Sequence, residues 1–102
     1  MAEVIWTYPA RDNLHYVLAP LRRDSELIAE KWLNKIFAAM DSLKRFPESG
    51  TPMEEKGFEA FRELLVGPFR IIYRYTGSEC RIGAVIRAER ALHRAIDPDE
   101  LP

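Results

Sequence analysis

The sequence predicts an α+β fold: a two-helix hairpin packed on a small, largely antiparallel four-stranded sheet, in the order β-α-α-β-β-β. Three observations predict it. Apolar residues recur every three or four positions from Ala10 to Leu43, then alternate with period two in the second half of the chain. The turn signals Gly67-Pro68 and Gly77-Ser78 cut the stretch from Phe61 to Arg90 into three runs of strand length. Between the halves stands a dense punctuation cluster, Phe46-Pro47-Glu48-Ser49-Gly50-Thr51-Pro52.

Glu3 to Thr7 is short, β-branched and aromatic, and is expected as a first strand joining the later ones. Thr7 stands where an N-cap belongs, with Pro9 in the first turn. Ala10, Leu14, Val17, Leu18 and Leu21 then form the stripe of an amphipathic helix. Pro20 donates no N–H and disfavours helix at Ala19, so this helix is expected to end there, or to kink and continue. Asp24-Ser25 caps a second helix, whose apolar positions Ile28, Trp32, Ile36, Phe37, Met40 and Leu43 span roughly five turns, about 30 Å. Trp32 and Phe37 are expected as core anchors. Met53 to Ala60 has no clear period and reads as a connection.

Strand alternation puts Phe69, Ile71, Tyr73 and Tyr75 on one face and Arg70, Ile72 and Arg74 on the other. In the last run it separates Ile82, Ala84 and Ile86 from Arg81, Gly83, Val85 and Arg87. The expected sheet therefore has an apolar face under the helices and an arginine-bearing face, where function is to be sought first. A short C-terminal helix is expected over Glu89–Ile96, stopped by Asp97-Pro98.

A chain of 102 residues is expected to form one domain with a core that needs neither metal nor disulfide. A single cysteine, Cys80, excludes an internal disulfide and suggests a reducing, cytosolic setting. Cys80 itself reads as a small buried hydrophobe. No signal peptide and no membrane span are expected, and no cofactor or metal, since no His/Cys/Asp cluster has ligand spacing. The net charge of -1 argues against a diffuse grip on nucleic acid. Charge is uneven, however: seven arginines, no lysine and three acids lie between Ala60 and Arg94. Arginine without lysine suits bidentate pairing with carboxylate or phosphate.

Three segments together resemble the RelE/ParE superfamily of toxins from type II toxin–antitoxin modules. They are Val4-Ile5-Trp6-Thr7 with Pro9-Ala10 and Leu14, then Phe46-Pro47-Glu48-Ser49-Gly50, then Arg62-Glu63-Leu64 with Gly67-Pro68-Phe69-Arg70-Ile71-Ile72-Tyr73-Arg74. The last is the most specific and looks like that family's R-x-L…Y-R-I-x-Y core. One departure stands out. Many members end the last strand with H-x-x-R, and here Arg87 stands where the histidine would be while Arg90 keeps the arginine.

The resemblance implies one of two activities. RelE-like members cut mRNA on the ribosome, which needs groups to activate the 2′-hydroxyl, stabilise the phosphorane and protonate the leaving oxygen. Arg62, Arg70 and His93 are the residues for that alternative. Proton-transfer candidates are otherwise thin, and arginine is a poor general base. ParE-like members poison DNA gyrase by protein–protein contact, with no hydrolytic step of their own. The long helical hairpin and the missing nuclease set fit the ParE-like branch better. That reading implies a cognate antitoxin, a toxin–antitoxin hetero-oligomer and gyrase as target. Arg62, Arg70, Arg74, Arg81, Arg87 and Arg90 are then the residues for target or antitoxin contact. A degenerate binding domain of the same fold is a third alternative. Any of these arginines can instead be solvated surface charge, and Arg62 or Arg70 can pin a loop or a helix end.

Overall fold

A computed structural model describes residues 1–90, 92 and 96–101. The elements are β1 (Glu3–Trp6), α1 (Tyr8–Asp24), α2 (Glu26–Arg45), β2 (Thr51–Pro52), β3 (Arg62–Val66), β4 (Phe69–Tyr75) and β5 (Glu79–Arg87). The sheet order is β1-β5-β4-β3-β2. β1 runs parallel to β5, and every other pair is antiparallel. The architecture is the expected two helices on a sheet, with five strands rather than four. The fifth is the two-residue β2, which pairs Thr51 with Glu63 and Pro52 with Arg62. A proline-containing strand of that length carries no alternation to read, and it sits at the sheet edge where proline is tolerated.

Both helices begin as their residues dictate. Thr7 accepts from the Ala10 N–H at 3.3 Å and donates its hydroxyl to the Ile82 carbonyl at 2.7 Å, tying the entry of α1 to β5. Ser25 alone separates the helices. Its N–H closes α1 on the Leu21 carbonyl at 2.8 Å, and its hydroxyl accepts the Ile28 N–H of α2 at 3.3 Å. α1 does not stop at Ala19 but continues through Pro20 to Asp24. The missing N–H costs one helical bond, and the extra turn carries Leu21 onto the core.

Phe69, Ile71 and Tyr73 of β4 are fully buried beneath Leu18, Ile36 and Leu43 of the helices. Trp32 packs edge-on against Phe69, with ring centroids 6.2 Å apart. Phe37, expected beside Trp32 as a core anchor, is instead 47% exposed. Ile36 takes the buried position, and the next residue lies about 100° further round a helix of 3.6 residues per turn.

The opposite face bears Arg70, Arg74 and Arg81, but it is not the open arginine surface expected. Ile72, Ala84 and Ile86 are buried there in a second apolar cluster with Met53, Phe58, Phe61 and Leu92. The segment read as a mere connection, Met53–Ala60, thus supplies a lid. Ile96 and Leu101 complete it. β5 also breaks its own alternation. Ile72 pairs with Ala84 and Tyr73 with Ile82, so Gly83 is an extra residue in the ladder. Such a bulge inverts the faces beyond it. Ile82 and Val85 therefore lie on the helix side, while Ala84 and Ile86 lie opposite. Of the C-terminal helix expected over Glu89–Ile96, residues 91 and 93–95 lie outside those described, and Glu89 and Arg90 stand in a turn and a bend rather than a helix. Beyond it Pro98–Glu100 form a 3-10 turn.

Candidate functional site

The six arginines singled out by sequence do not form one surface. Cross-strand partners share a face, so Arg62, opposite Tyr73, and Arg87, opposite Phe69, belong to the helix side. Arg70, Arg74 and Arg81 belong to the other. Arg90 follows β5 and is exposed.

Most of these side chains are already engaged. The Arg62 guanidinium donates to the carbonyls of Glu48 and Gly50 at 3.0 and 2.9 Å. It pins the loop that follows α2. Tyr73 holds the same loop from beneath. Its hydroxyl accepts the Gly50 N–H at 2.9 Å and donates to the Pro47 carbonyl at 2.8 Å. Gly50 lies so close above the ring that an added Cβ would meet the Tyr73 hydroxyl and ring carbons. The Pro-Glu-Ser-Gly punctuation is therefore a fitted cap on Tyr73. Burial pushes the Tyr73 hydroxyl above its ordinary pKa, a shift the Gly50 N–H partly offsets.

Arg70 is clasped by two carboxylates. Its Nε donates to Glu63 at 3.0 Å, and its Nη2 bridges Glu63 and Glu55, the latter at 3.1 Å. Burial alone would weaken its proton affinity, but the hydrogen bonds and charges of Glu63 and Glu55 outweigh it and raise the pKa. Arg74 and Arg81 are register partners, with buried Nε atoms that no described residue satisfies. Arg74 also lies over the Phe61 ring at 5.9 Å.

Arg87 sits differently. It stacks over Phe69 at 5.7 Å and donates to the exposed Glu89 at 3.0 Å. The paired Glu89 carboxyl is held below its usual pKa by its backbone N–H first and by Arg87 second. Beside Arg87 opens a cavity of about 600 Å³, between the second half of α1 and the end of β5. Tyr16, Val17, Pro20 and Arg23 line it from α1, and Val85, Arg87 and Arg90 from the other wall. The bulge at Gly83 is what turns Val85 and Arg87 toward it. Sequence reasoning missed Tyr16 and Arg23. The signal available was their spacing of seven on α1, which places both on one helix face.

His93, the acid/base candidate of the nuclease alternative, lies outside the described residues. Cys80 is buried at the start of β5, and burial raises its thiol pKa. That environment suppresses the thiolate rather than activating it. Among the described residues no group of three or more His, Cys, Asp or Glu is arranged to hold a metal ion. No described helix is long and apolar enough to cross a membrane.

Solved structures share this fold. A chain of the chromosomal ParDE toxin–antitoxin system from P. aeruginosa superposes with a TM-score of 0.70 at 24% identity, covering 87% of this chain and 98% of that one. A chain of the RelBE2 toxin–antitoxin complex from Mycobacterium tuberculosis gives 0.61 at 21% identity, covering 84% and 96%. YafQ from E. coli strain BL21(DE3) gives 0.57 at 14% identity, covering 86% and 94%. No curated protein sequence matches the chain. Residues 4–92 match the family described as the ParE toxin of the type II toxin–antitoxin system parDE. The chain belongs to that family of toxins.

Proposed function

We propose that this chain is a ParE-like toxin that inhibits DNA gyrase by protein–protein contact, and that a cognate antitoxin neutralises it in a hetero-oligomer. One observation carries the choice over RNA cleavage. Arg62 and Arg70, which a nuclease would aim at phosphate, are bound to the chain's own carbonyls and carboxylates. Releasing Arg70 would strand two glutamates, a cost that phosphate binding would have to exceed. Arg87 and Arg90 border an open cavity instead, and arginine at the rim of an apolar hollow suits a protein contact.

Two parallel assays test the reading: plasmid supercoiling by gyrase and mRNA cleavage on translating ribosomes. The expected result is loss of supercoiling with intact mRNA. Arg87→Ala should weaken the inhibition while melting within a few degrees of the parent, because an exposed ion pair contributes about 0–1 kcal/mol. Cleavage without supercoiling loss would overturn the proposal and direct attention to Arg62, Arg70 and His93.

A further inference from the structure

Arg74 and Arg81 stand directly opposite each other on β4 and β5, on the face away from the helices. Like charges in that position repel across the strands. Of the partly buried arginines, Arg22, Arg62, Arg70 and Arg87 each have a carboxylate partner, whereas among the described residues Arg74 and Arg81 have none. Each also keeps a buried Nε–H without an acceptor. A buried donor left unpaired costs stability that a neutral apolar side chain would not. The pair therefore gathers positive charge and directed donors for which the fold supplies no acceptor.

The surroundings narrow the ligand. Arg74 lies over the Phe61 ring, and Ile5 of β1 is the register partner of Arg81. Past Arg81, at the end of β1, opens a cavity of about 360 Å³ with Ile5, Trp6 and Pro9 among its walls and Glu100 at its lining. Apolar walls strengthen charge pairing beside them. Glu79 shares the face two residues before Arg81, with Glu3 opposite it, and neither pairs with the arginines. These carboxylates offset part of the positive charge, so a singly charged anion gains little there. A phosphate monoester carries about 1.5–2 negative charges and three acceptor oxygens. That is enough to engage both guanidinium forks. We infer that Arg74 and Arg81 form a binding site for a small phosphate monoester, whose ester group lodges in the cavity beside Ile5 and Trp6. A nucleic-acid backbone is a diester with a single charge on each phosphate, and fits the pair less well. The site lies apart from the hollow beside Arg87 and holds whether or not gyrase is the target.

The probe is phenyl phosphate, titrated at low ionic strength into the ¹⁵N-labelled protein while the arginine Nε–H signals are followed. The controls are benzoate and a single-stranded oligonucleotide. The expected result is saturable shifts at the Nε–H of Arg74 and Arg81, with slower hydrogen exchange at both. Each control should bind at least about tenfold more weakly. Arg74→Met and Arg81→Met keep the apolar stem, and each should weaken phenyl phosphate binding by at least about tenfold. Each also removes a repelling charge and a buried unpaired donor, so both variants should melt at or above the temperature of the parent. Glu79→Gln, which removes a competing carboxylate, should tighten binding. Four binding results would overturn the inference: no saturation at millimolar phenyl phosphate, equal response to either control, undiminished affinity in both methionine variants, or shifts centred on Arg23 and Arg87 instead. Melting several degrees below the parent in both methionine variants would make the two arginines structural and overturn it as well.

Discussion

Tyr73 joins two regions of the chain through one hydroxyl, which accepts from Gly50 and donates to Pro47 while the ring is fully buried. Tyr73→Phe leaves the Gly50 N–H unpaired and the Pro47 carbonyl with only the long Cys80 thiol contact at 3.9 Å, and should cost about 1–3 kcal/mol in urea denaturation. The pH dependence follows from the raised pKa. A group whose folded pKa lies above its unfolded value, about 10 for tyrosine, contributes stability fully below that value and loses it as pH rises through the folded pKa. Cys80, raised by burial, acts in the same sense from about pH 8.5. Stability should therefore fall above roughly pH 9, and less steeply above about pH 10 in Tyr73→Phe. Identical slopes would assign the alkaline loss to other groups. Arg70 makes a second prediction at this scale. A double-mutant cycle with Arg70→Ala and Glu63→Ala should give a coupling of about 1 kcal/mol or more, because both side chains are mostly shielded from water. A coupling near zero would make the clasp an ordinary surface pair.

At the scale of elements, the β3–β4 turn is held against α2 by a glycine. Gly67 has φ +56, in the left-handed region, and a Cβ there would fall within the Trp32 ring. Gly67→Ala meets both penalties together, backbone strain and displacement of an aromatic that packs on Phe69. The expected loss is about 2–4 kcal/mol by thermal or chemical melting, with Trp32 fluorescence shifted in the native state. A loss below about 0.5 kcal/mol would mean that Trp32 moves aside freely. Gly83 shows a different use of glycine. Its φ is unexceptional, but its lack of a side chain admits Leu101 against the sheet, where a Cβ would come within 3.2 Å of that side chain. The bulge at this position decides which half of β5 faces the helices, and so which arginine faces the cavity.

At the scale of the molecule, the arginines divide by work. Arg62 and Arg70 bind the chain to itself, and Arg87 and Arg90 stand at an open surface. Stability and toxicity should therefore separate by position. Arg62→Ala should lower both, because it frees the loop over Tyr73, whereas Arg87→Ala should lower toxicity with little loss of stability. Growth arrest on induction, read beside melting temperature, checks the pair. Equal growth arrest in Arg87→Ala and the parent would remove the end of β5 from the toxic surface.

The sequence by itself determined the order of the two helices and of four of the five strands, the helix starts and the family. Periods of three to four and of two, a Thr7 or Ser25 side chain at a helix start, and glycine-led turns act over a few residues. Their physics is legible without the rest of the chain. The Arg62-to-Arg74 segment carried the family resemblance for the same reason. Only the tertiary structure decided what each arginine does. Strand alternation was sound for β4 and failed in β5, because a one-residue bulge at Gly83 shifts the register and no period in the sequence marks it. The second apolar cluster joins Met53, Phe58 and Phe61 to Ile72 and Ile86, residues too far apart for any local period to register. The clasp of Glu55 and Glu63 on Arg70, and the cavity shared by Arg23 and Arg87, arise likewise from chain segments brought together only by folding.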